Sequence, residues 1–378
     1  MVLGALKTGS SGNATLPASG SASVQGSGVP RSRWVFQSWL ENIQFSFYPP
    51  YVNLRDDLRI RALLKREKEE FRRRNPYDLK ILGGSPTCVI ETVKDFMGLP
   101  GDREDIEVSL EQESVLAALL LYHDRLVTRN SILWKEGDFV TTDEQQEYDL
   151  SSAEPLWRMF VAAHHHFPLE LANEDKDGFR NFWAKLERSE KKVPQLSRSL
   201  GRFVSASGMV TEAGMKIYRL VDYITSMEAL LTRRGEPSLR LSLRMALLSG
   251  MSAQNTTVVF EFMKLVYDLR SRLVHGDELP PIKIRDVDIR AEEALGRLHS
   301  YCRDCIRYSL DLVEAGFETK EKLLHLIDLA LLRIDMRASL WAFLGDKQSG
   351  EKLKDDFNQF DKLVFHSVLH EERHGALE

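Results

Sequence analysis

The apolar positions of this chain fall into two regimes. From Leu156 onward they recur at three- and four-residue spacing, the mark of amphipathic helices. The spacing predicts helices over 156–167, ending before Pro168, and over 177–187 with anchors Phe179, Phe182 and Trp183. Further helices are expected over 214–232, 238–248, 256–275, 288–315 and 319–344, separated by short turns that contain Gly and Pro. There is no internal repeat and no heptad run long enough for a coiled coil. This half reads as an all-α bundle.

Before residue 150 the pattern is less uniform. Residues 1–32 are rich in Gly, Ser and Ala, with almost no large apolar side chain after Leu16. Such a segment buries too little surface to offset chain entropy, and a flexible tail is expected. Order is expected to begin near Trp34, in the aromatic-rich run SRWVFQSWLENIQFSFYPPY. Residues 55–74, RDDLRIRALLKREKEEFRRR, read as a highly charged helix with a solvated face; a phosphate site at Arg72, Arg73 and Arg74 is the sharper but weaker reading. A second helix is expected over 111–126, with apolar contacts from Val115, Leu116, Leu119, Leu120 and Tyr122. Residues 80–82 and 131–142 look more like strand or turn, and the acidic run 143–149 like a linker.

The expected fold class is therefore mainly α: a helical bundle in the C-terminal half, with a smaller mixed or helical N-terminal region. The expected organisation is a disordered tail (1–32), an N-terminal region of unassigned fold with a candidate sensing or regulatory role (33–150), a helical domain (151–317), and C-terminal helices that pack on or extend the bundle (318–378).

Composition narrows the function classes. An apolar fraction of 43% and a charged fraction of 28% are those of an ordinary soluble globular protein. The net charge of -5 supplies no global attraction to nucleic acid, so such binding would need a local basic patch. Three cysteines argue against a disulfide framework and fit a reducing compartment. No apolar run approaches the roughly 20 residues that span a bilayer, and MVLGALKTGSSG lacks the features of a secretory signal. A cytoplasmic protein with no membrane partner is expected.

Several candidate chemistries fall away on spacing. His164, His165 and His166 are consecutive, so on a helix they point in three directions and do not chelate one ion together. Cys302-x-x-Cys305 has no second pair nearby; a zinc site would need remote partners such as Cys88 or His299, and packing is the default. Gly83-Gly84-Ser85 lacks the Lys and spacing of a P-loop.

The stretch Phe260–Gly276, FEFMKLVYDLRSRLVHG, is different. Phe262, Val266, Leu269 and Leu273 form one buried face. At about 100° per residue, Tyr267, Arg270, Ser271 and His275 spread along its flank and back. Gly276 is a natural stop, with Pro280 and Pro281 soon after. Upstream, Ile217, Leu220, Val221, Ile224, Met227 and Leu231 make another stripe, and Glu228 falls inside it. A carboxylate on a packed face is costly unless paired. Two partners stand open: a Glu228–Arg244 pair that only fixes helix register, or a Glu228–Arg270 pair that orients the arginine toward a substrate.

These residues resemble the HEPN superfamily, specifically its ApeA-like branch. The resemblance rests on Arg219 and Asp222, the run Met227-Glu228-Ala229-Leu230-Leu231, Leu241 to Arg244 with Ala246, and Tyr267-Asp268-Leu269-Arg270-Ser271 with Val274-His275-Gly276. It covers about 60 to 100 residues between 213 and 310 and leaves the first half unexplained. Ser271 stands where many nuclease members carry Asn; it is still polar and able to hydrogen-bond phosphate. The resemblance implies a four- or five-helix bundle that often forms a homodimer or higher homo-oligomer, and a metal-independent endoribonuclease that needs no cofactor.

On that reading Arg270 and His275 are catalytic, with Ser271, Glu228, Arg244, Tyr267, Asp222 and Arg219 in support. Arg272, Lys264 and Arg240 are candidate RNA contacts, each more simply read as plain surface charge. RNA, tRNA among the candidates, is the implied partner; residues 33–150 would receive an activator or inhibitor, as in a defence or stress effector such as a toxin. The alternative implication is a non-catalytic HEPN scaffold that binds RNA, a nucleotide or a protein partner. A third reading makes Arg270 and His275 purely structural.

Overall fold

The fold was taken from a computed structural model, which describes residues 31–41, 43–46, 50–67, 69, 88–97, 102–122, 128–136, 169–208, 215–233, 238–275, 283–284, 287–288, 291–346 and 348–361. The residues of the expected linker 143–149, of the helix 156–167 with His164–His166, of Arg72–Arg74 and Gly83–Ser85, and nearly all of the expected tail lie outside that set.

The chain is mainly α, with a small sheet region at its N-terminal end. The strands are β1 (Arg31–Glu41), β2 (Ile43–Phe45), β3 (Tyr51–Arg55), β4 (Leu58–Ala62), β5 (Cys88–Met97), β6 (Thr128–Glu136) and β7 (Leu169–Leu171). Five form an antiparallel sheet in the order β3-β4-β5-β1-β6. β2 and β7 pair separately, in parallel. Helix α1 (Asp102–Tyr122) crosses one sheet face, where Gln112 accepts from the Ser38 hydroxyl and donates to the Phe36 carbonyl and the Thr92 hydroxyl.

The charged helix expected over 55–74 is not what forms. Residues 51–62 are the β3–β4 hairpin, turning at Asp56-Asp57, and helical backbone begins only at Lys65. The cause is a period of two that the charges disguise. Leu58, Ile60 and Ala62 enter the core on one face, while Arg59 and Arg61 occupy the other, and all five are buried.

Those arginines are buried because they are neutralised. Glu91 lies opposite Arg59 on one side and Gln37 on the other. Its carboxylate accepts from Gln37 Nε2 (2.7 Å), Arg59 Nε (2.8 Å) and Arg61 Nη2 (2.6 Å). Glu67, in the helical backbone that begins at Lys65, accepts from both Arg61 terminal nitrogens at 2.7 Å. Burial pushes the Glu91 carboxyl up, but the Arg61 and Arg59 charges and their hydrogen bonds outweigh it and hold the group at about 2.

The helices follow as α2 (Asp175–Lys192), α3 (Pro194–Gly208), α4 (Met215–Leu231), α5 (Ser238–Gly250), α6 (Ala253–His275), α7 (Ala291–Glu314), α8 (Lys320–Leu332), α9 (Ile334–Leu344) and α10 (350–361), with a two-strand ladder of β8 (Lys283–Ile284) and β9 (Val287–Asp288) before α7. The expected helix over 319–344 is two helices that break at Arg333, whose extended backbone ends α8 and starts α9. One hydrophobic cluster runs without interruption from Leu40, Ile60 and Ile90 of the sheet, through α1, into Phe203, Ile224, Phe262, Leu298 and Leu326 of the bundle. Sheet and bundle therefore share a core across the expected boundary near residue 150.

Arg55 bolts them together. It bonds Asp57, Glu111 of α1 and Glu187 of α2, and lies over the Trp183 ring. Along the α2–α7 seam, Lys185 pairs with Asp311, Arg188 with Glu314, and Lys192 with Glu318 just past α7.

The α5–α6 hairpin places the site. Met251, at φ 40, and Ser252 form a tight turn in which the Ser252 carbonyl accepts from Thr256 N at 2.8 Å. Gly250 permits that closeness, because a Cβ there would stand 2.6 Å from Thr256 Cα and 2.8 Å from its nitrogen.

Candidate functional site

Helix α6 buries Phe262, Val266 and Leu269 and half-buries Leu273, as their spacing requires. This fixes the helix's rotation and leaves Arg270 on the margin of the packed face. Arg270 meets α4 there. Its Nη2 is 3.7 Å from Glu228 Oε2, with the two side chains 29% and 21% exposed. The guanidinium also lies over the Tyr267 ring, 5.7 Å from its centroid. Burial first, then the nearby Glu228 charge, push the Tyr267 hydroxyl above its ordinary range.

Of the two partners open to Glu228, the structure selects Arg270. Arg244 is completely buried and is held elsewhere, by Asp328 of α8, with Nε–Oδ1 and Nη2–Oδ2 both at 2.8 Å, and by the Leu231 carbonyl. Asp328 is the partner that sequence reasoning missed. The signal was present: one acid inside the apolar run Leu323–Leu332, requiring a cation as Glu228 does. Glu228 itself sits at the rim of its stripe and keeps some solvent contact.

Arg270 differs from the other half-buried and buried arginines in one respect. Among the described residues it makes no hydrogen bond, and its Nε is buried without a partner. A guanidinium carries five donors, and leaving them unpaired beside a core is costly. The arrangement suits an anion with several oxygens.

The other predicted site residues separate into two groups. Ser271, half-buried, and Lys264, Arg272 and Arg240, all exposed, lie on the α5–α6 hairpin with Arg270. His275 closes α6, five residues after Arg270, or about 7 Å along the axis. Asp222 and Arg219 are turned to α3 instead. Asp222 accepts from Arg202 Nη1 (2.9 Å) and Ser205 Oγ (2.8 Å), and Arg219 Nε donates to the Ala206 carbonyl (2.8 Å). They tie α3 to α4 and are not brought to Glu228.

The cysteine pair is packed into the bundle. Cys302 Sγ donates to Ser226 Oγ at 3.2 Å, and burial pushes its thiol up to about 12. Cys305 is raised by burial as well, and His299 Nδ1 meets the Tyr223 hydroxyl at 3.0 Å. Buried, protonated thiols are poor ligands and poor nucleophiles.

Comparison with known proteins brings no relative to this chain: no protein-family model, no curated protein and no solved structure matches it.

Proposed function

We propose that this protein is an endoribonuclease of HEPN type, cleaving RNA by 2′-hydroxyl attack at a site built around Arg270 and His275. The observation that supports it most is the Arg270 guanidinium. It is half-buried, without a hydrogen bond among the described residues, and one and a half turns before a histidine at a helix end.

In this reading Arg270 binds the scissile phosphate and stabilises the charge that develops on it, an effect worth about 10²–10³ in rate for a single donor group. His275 takes the proton from the 2′-oxygen as that oxygen bonds to phosphorus; the P–O5′ bond breaks and the leaving oxygen receives a proton, giving a 2′,3′-cyclic phosphate and a 5′-hydroxyl. Imidazole titrates near neutrality and suits both transfers. Ser271 is available to a phosphate oxygen, and Lys264, Arg272 and Arg240 to the flanking backbone. DNA lacks the attacking hydroxyl and is not a substrate.

The test is incubation of the wild type, Arg270→Ala and His275→Ala with total RNA or tRNA in EDTA. Cleavage by the wild type, reduced roughly 10²-fold or more in both variants, is the expected result. Equal cleavage by all three, or none by the wild type, overturns the proposal; the second outcome leaves a non-catalytic scaffold as the better account.

A further inference from the structure

We infer that Glu228 is a base-selecting residue of the Arg270 site: its carboxylate receives the Watson–Crick edge of a guanine in the nucleotide beside the bound phosphate. The inference rests on the reading of Arg270 as a phosphate-binding group.

Two opposite charges meet here without satisfying each other. Glu228 Oε2 stands 3.7 Å from Arg270 Nη2, beyond hydrogen-bonding distance. Among the described residues neither side chain makes a hydrogen bond, and Arg270 Nε is buried without a partner. Elsewhere in the fold a carboxylate beside an arginine closes on it. Asp328 meets Arg244 with both contacts at 2.8 Å, and Glu91 accepts from Arg59 at 2.8 Å and from Arg61 at 2.6 Å. Glu228 and Arg270 are left with their acceptors and donors free.

A ligand that fills this place brings anionic oxygens for the guanidinium and hydrogen-bond donors for the carboxylate. RNA supplies the first from its backbone. For the second, an ionised carboxylate only accepts, through two oxygens side by side. Guanine presents its N1–H and exocyclic amine as adjacent, parallel donors, which match both oxygens as a guanidinium does. Adenine and cytosine set a ring-nitrogen acceptor beside their amine, and uracil flanks its one N–H with two carbonyls. Each of these turns a lone pair toward the carboxylate, and a site built for donors rejects such a partner.

Helix α6 also offers the base a surface. Val274 follows Arg270 by four residues, so the two are neighbours one turn apart, and Val274 is 58% exposed. Its aliphatic side chain gives a base plane an apolar contact beside the guanidinium. The edge that Glu228 reads is hidden in a duplex, so the substrate is a single strand, a loop or an end.

The measurement is fluorescence anisotropy of the full-length chain with labelled 2′-O-methyl oligouridines carrying one central guanine, adenine or cytosine. These lack the attacking hydroxyl and stay intact. The wild type should bind the guanine oligonucleotide roughly tenfold more tightly than the other two, the scale of one bidentate pair. Glu228→Gln replaces one acceptor with a donor and should remove that preference, favouring adenine, whose amine and ring nitrogen match an amide. Glu228→Ala should bind all three within about twofold. Arg270→Ala should weaken all three alike, roughly tenfold. A carboxylate that served Arg270 only as counter-ion would change the three affinities together and leave their ratios as in the wild type. Thermal melts establish that each variant is folded, and the wild-type ratios with Glu228→Ala keep the test decisive if Glu228→Gln is not. No guanine preference in the wild type, or one that survives in a folded Glu228 variant, overturns the inference while the reading of Arg270 stands. Binding unaffected by Arg270→Ala, or none by the wild type, overturns that reading and the inference with it. If binding follows the expected pattern while natural RNA is not cleaved, the nuclease proposal fails and base selection by Glu228 stands.

Discussion

Glu91 offers the sharpest quantitative handle on how the sheet is held. It is wholly buried and serves as counter-ion to Arg59 and Arg61, with Gln37 satisfying a further lone pair. Its carboxyl titrates at about 2 in the folded chain, against an ordinary value of 4.5. The unfolded chain therefore takes up this proton first as the pH falls. The stabilisation is fully present above the unfolded value and is lost as the pH drops through 4.5 toward 2. A shift of about 2.5 units corresponds to roughly 3 kcal/mol. Glu91→Gln removes the charge but keeps the shape. It leaves Arg61 with Glu67 as its counter-ion and takes the Glu91 charge from Arg59, which should cost about 3–5 kcal/mol at pH 7. Urea unfolding followed by circular dichroism, repeated from pH 7 to pH 2, reads both effects. The wild type should lose stability over the acid limb with about one more proton taken up on unfolding than the variant. The two curves should converge near pH 2. Parallel curves over that interval would show that Glu91 is not held low, and the account of the buried arginines would fail.

Two further predictions test other parts of the packing. Glu190 is partly buried on α2 against α1, and burial raises its carboxyl despite a hydrogen bond from Ser114. A raised acid contributes stability only below its unfolded pKa and loses it as the pH rises through the folded one. Glu190→Gln should therefore raise the thermal midpoint at pH 7.5 and lose that advantage near pH 4, each unit of elevation being worth about 1.4 kcal/mol. An equal effect at both pH values would refute this. Gly250→Ala should cost roughly 1–3 kcal/mol, because its Cβ meets Thr256 backbone atoms at 2.6 and 2.8 Å. The Thr256 hydroxyl is close as well, but two of the three nearest atoms are backbone, so most of the loss should remain in a Thr256→Ala background.

Much of the bundle was legible because helical periodicity is written in large apolar residues. The buried positions of α6, and the buried Ile224, Met227 and Leu231 of α4, follow from spacing alone. Helix α3 was not foreseen. Its stripe of Leu196, Leu200, Phe203 and Ala206 is present, but Ser and Gly dilute it, and both are weak helix formers. The β3–β4 hairpin was misread because residue type outweighed period: arginines look like surface until their buried carboxylates, 6 and 30 or more residues away, are known. The same limit applied at the site. The sequence narrowed Glu228 to two partners, and the choice needed Asp328, which lies 84 residues from Arg244 and draws it away.

The parallel pairing of β2 with β7 makes the sheet region a closed loop. Ile43–Phe45 lies beside Leu169–Leu171, Ser46 N donates to the Leu171 carbonyl, and α2 begins four residues later. Joining chain segments roughly 125 residues apart carries a closure entropy of about 4 kcal/mol that a three-residue ladder does not offset by itself. The clasp should therefore form late, after the sheet has condensed on α1 and the bundle has condensed around α4 and α7. Once formed, it joins the start of the sheet to the start of α2. A ligand that shifted β1 would pull on α2, and through the ion-paired α2–α7 seam on α7.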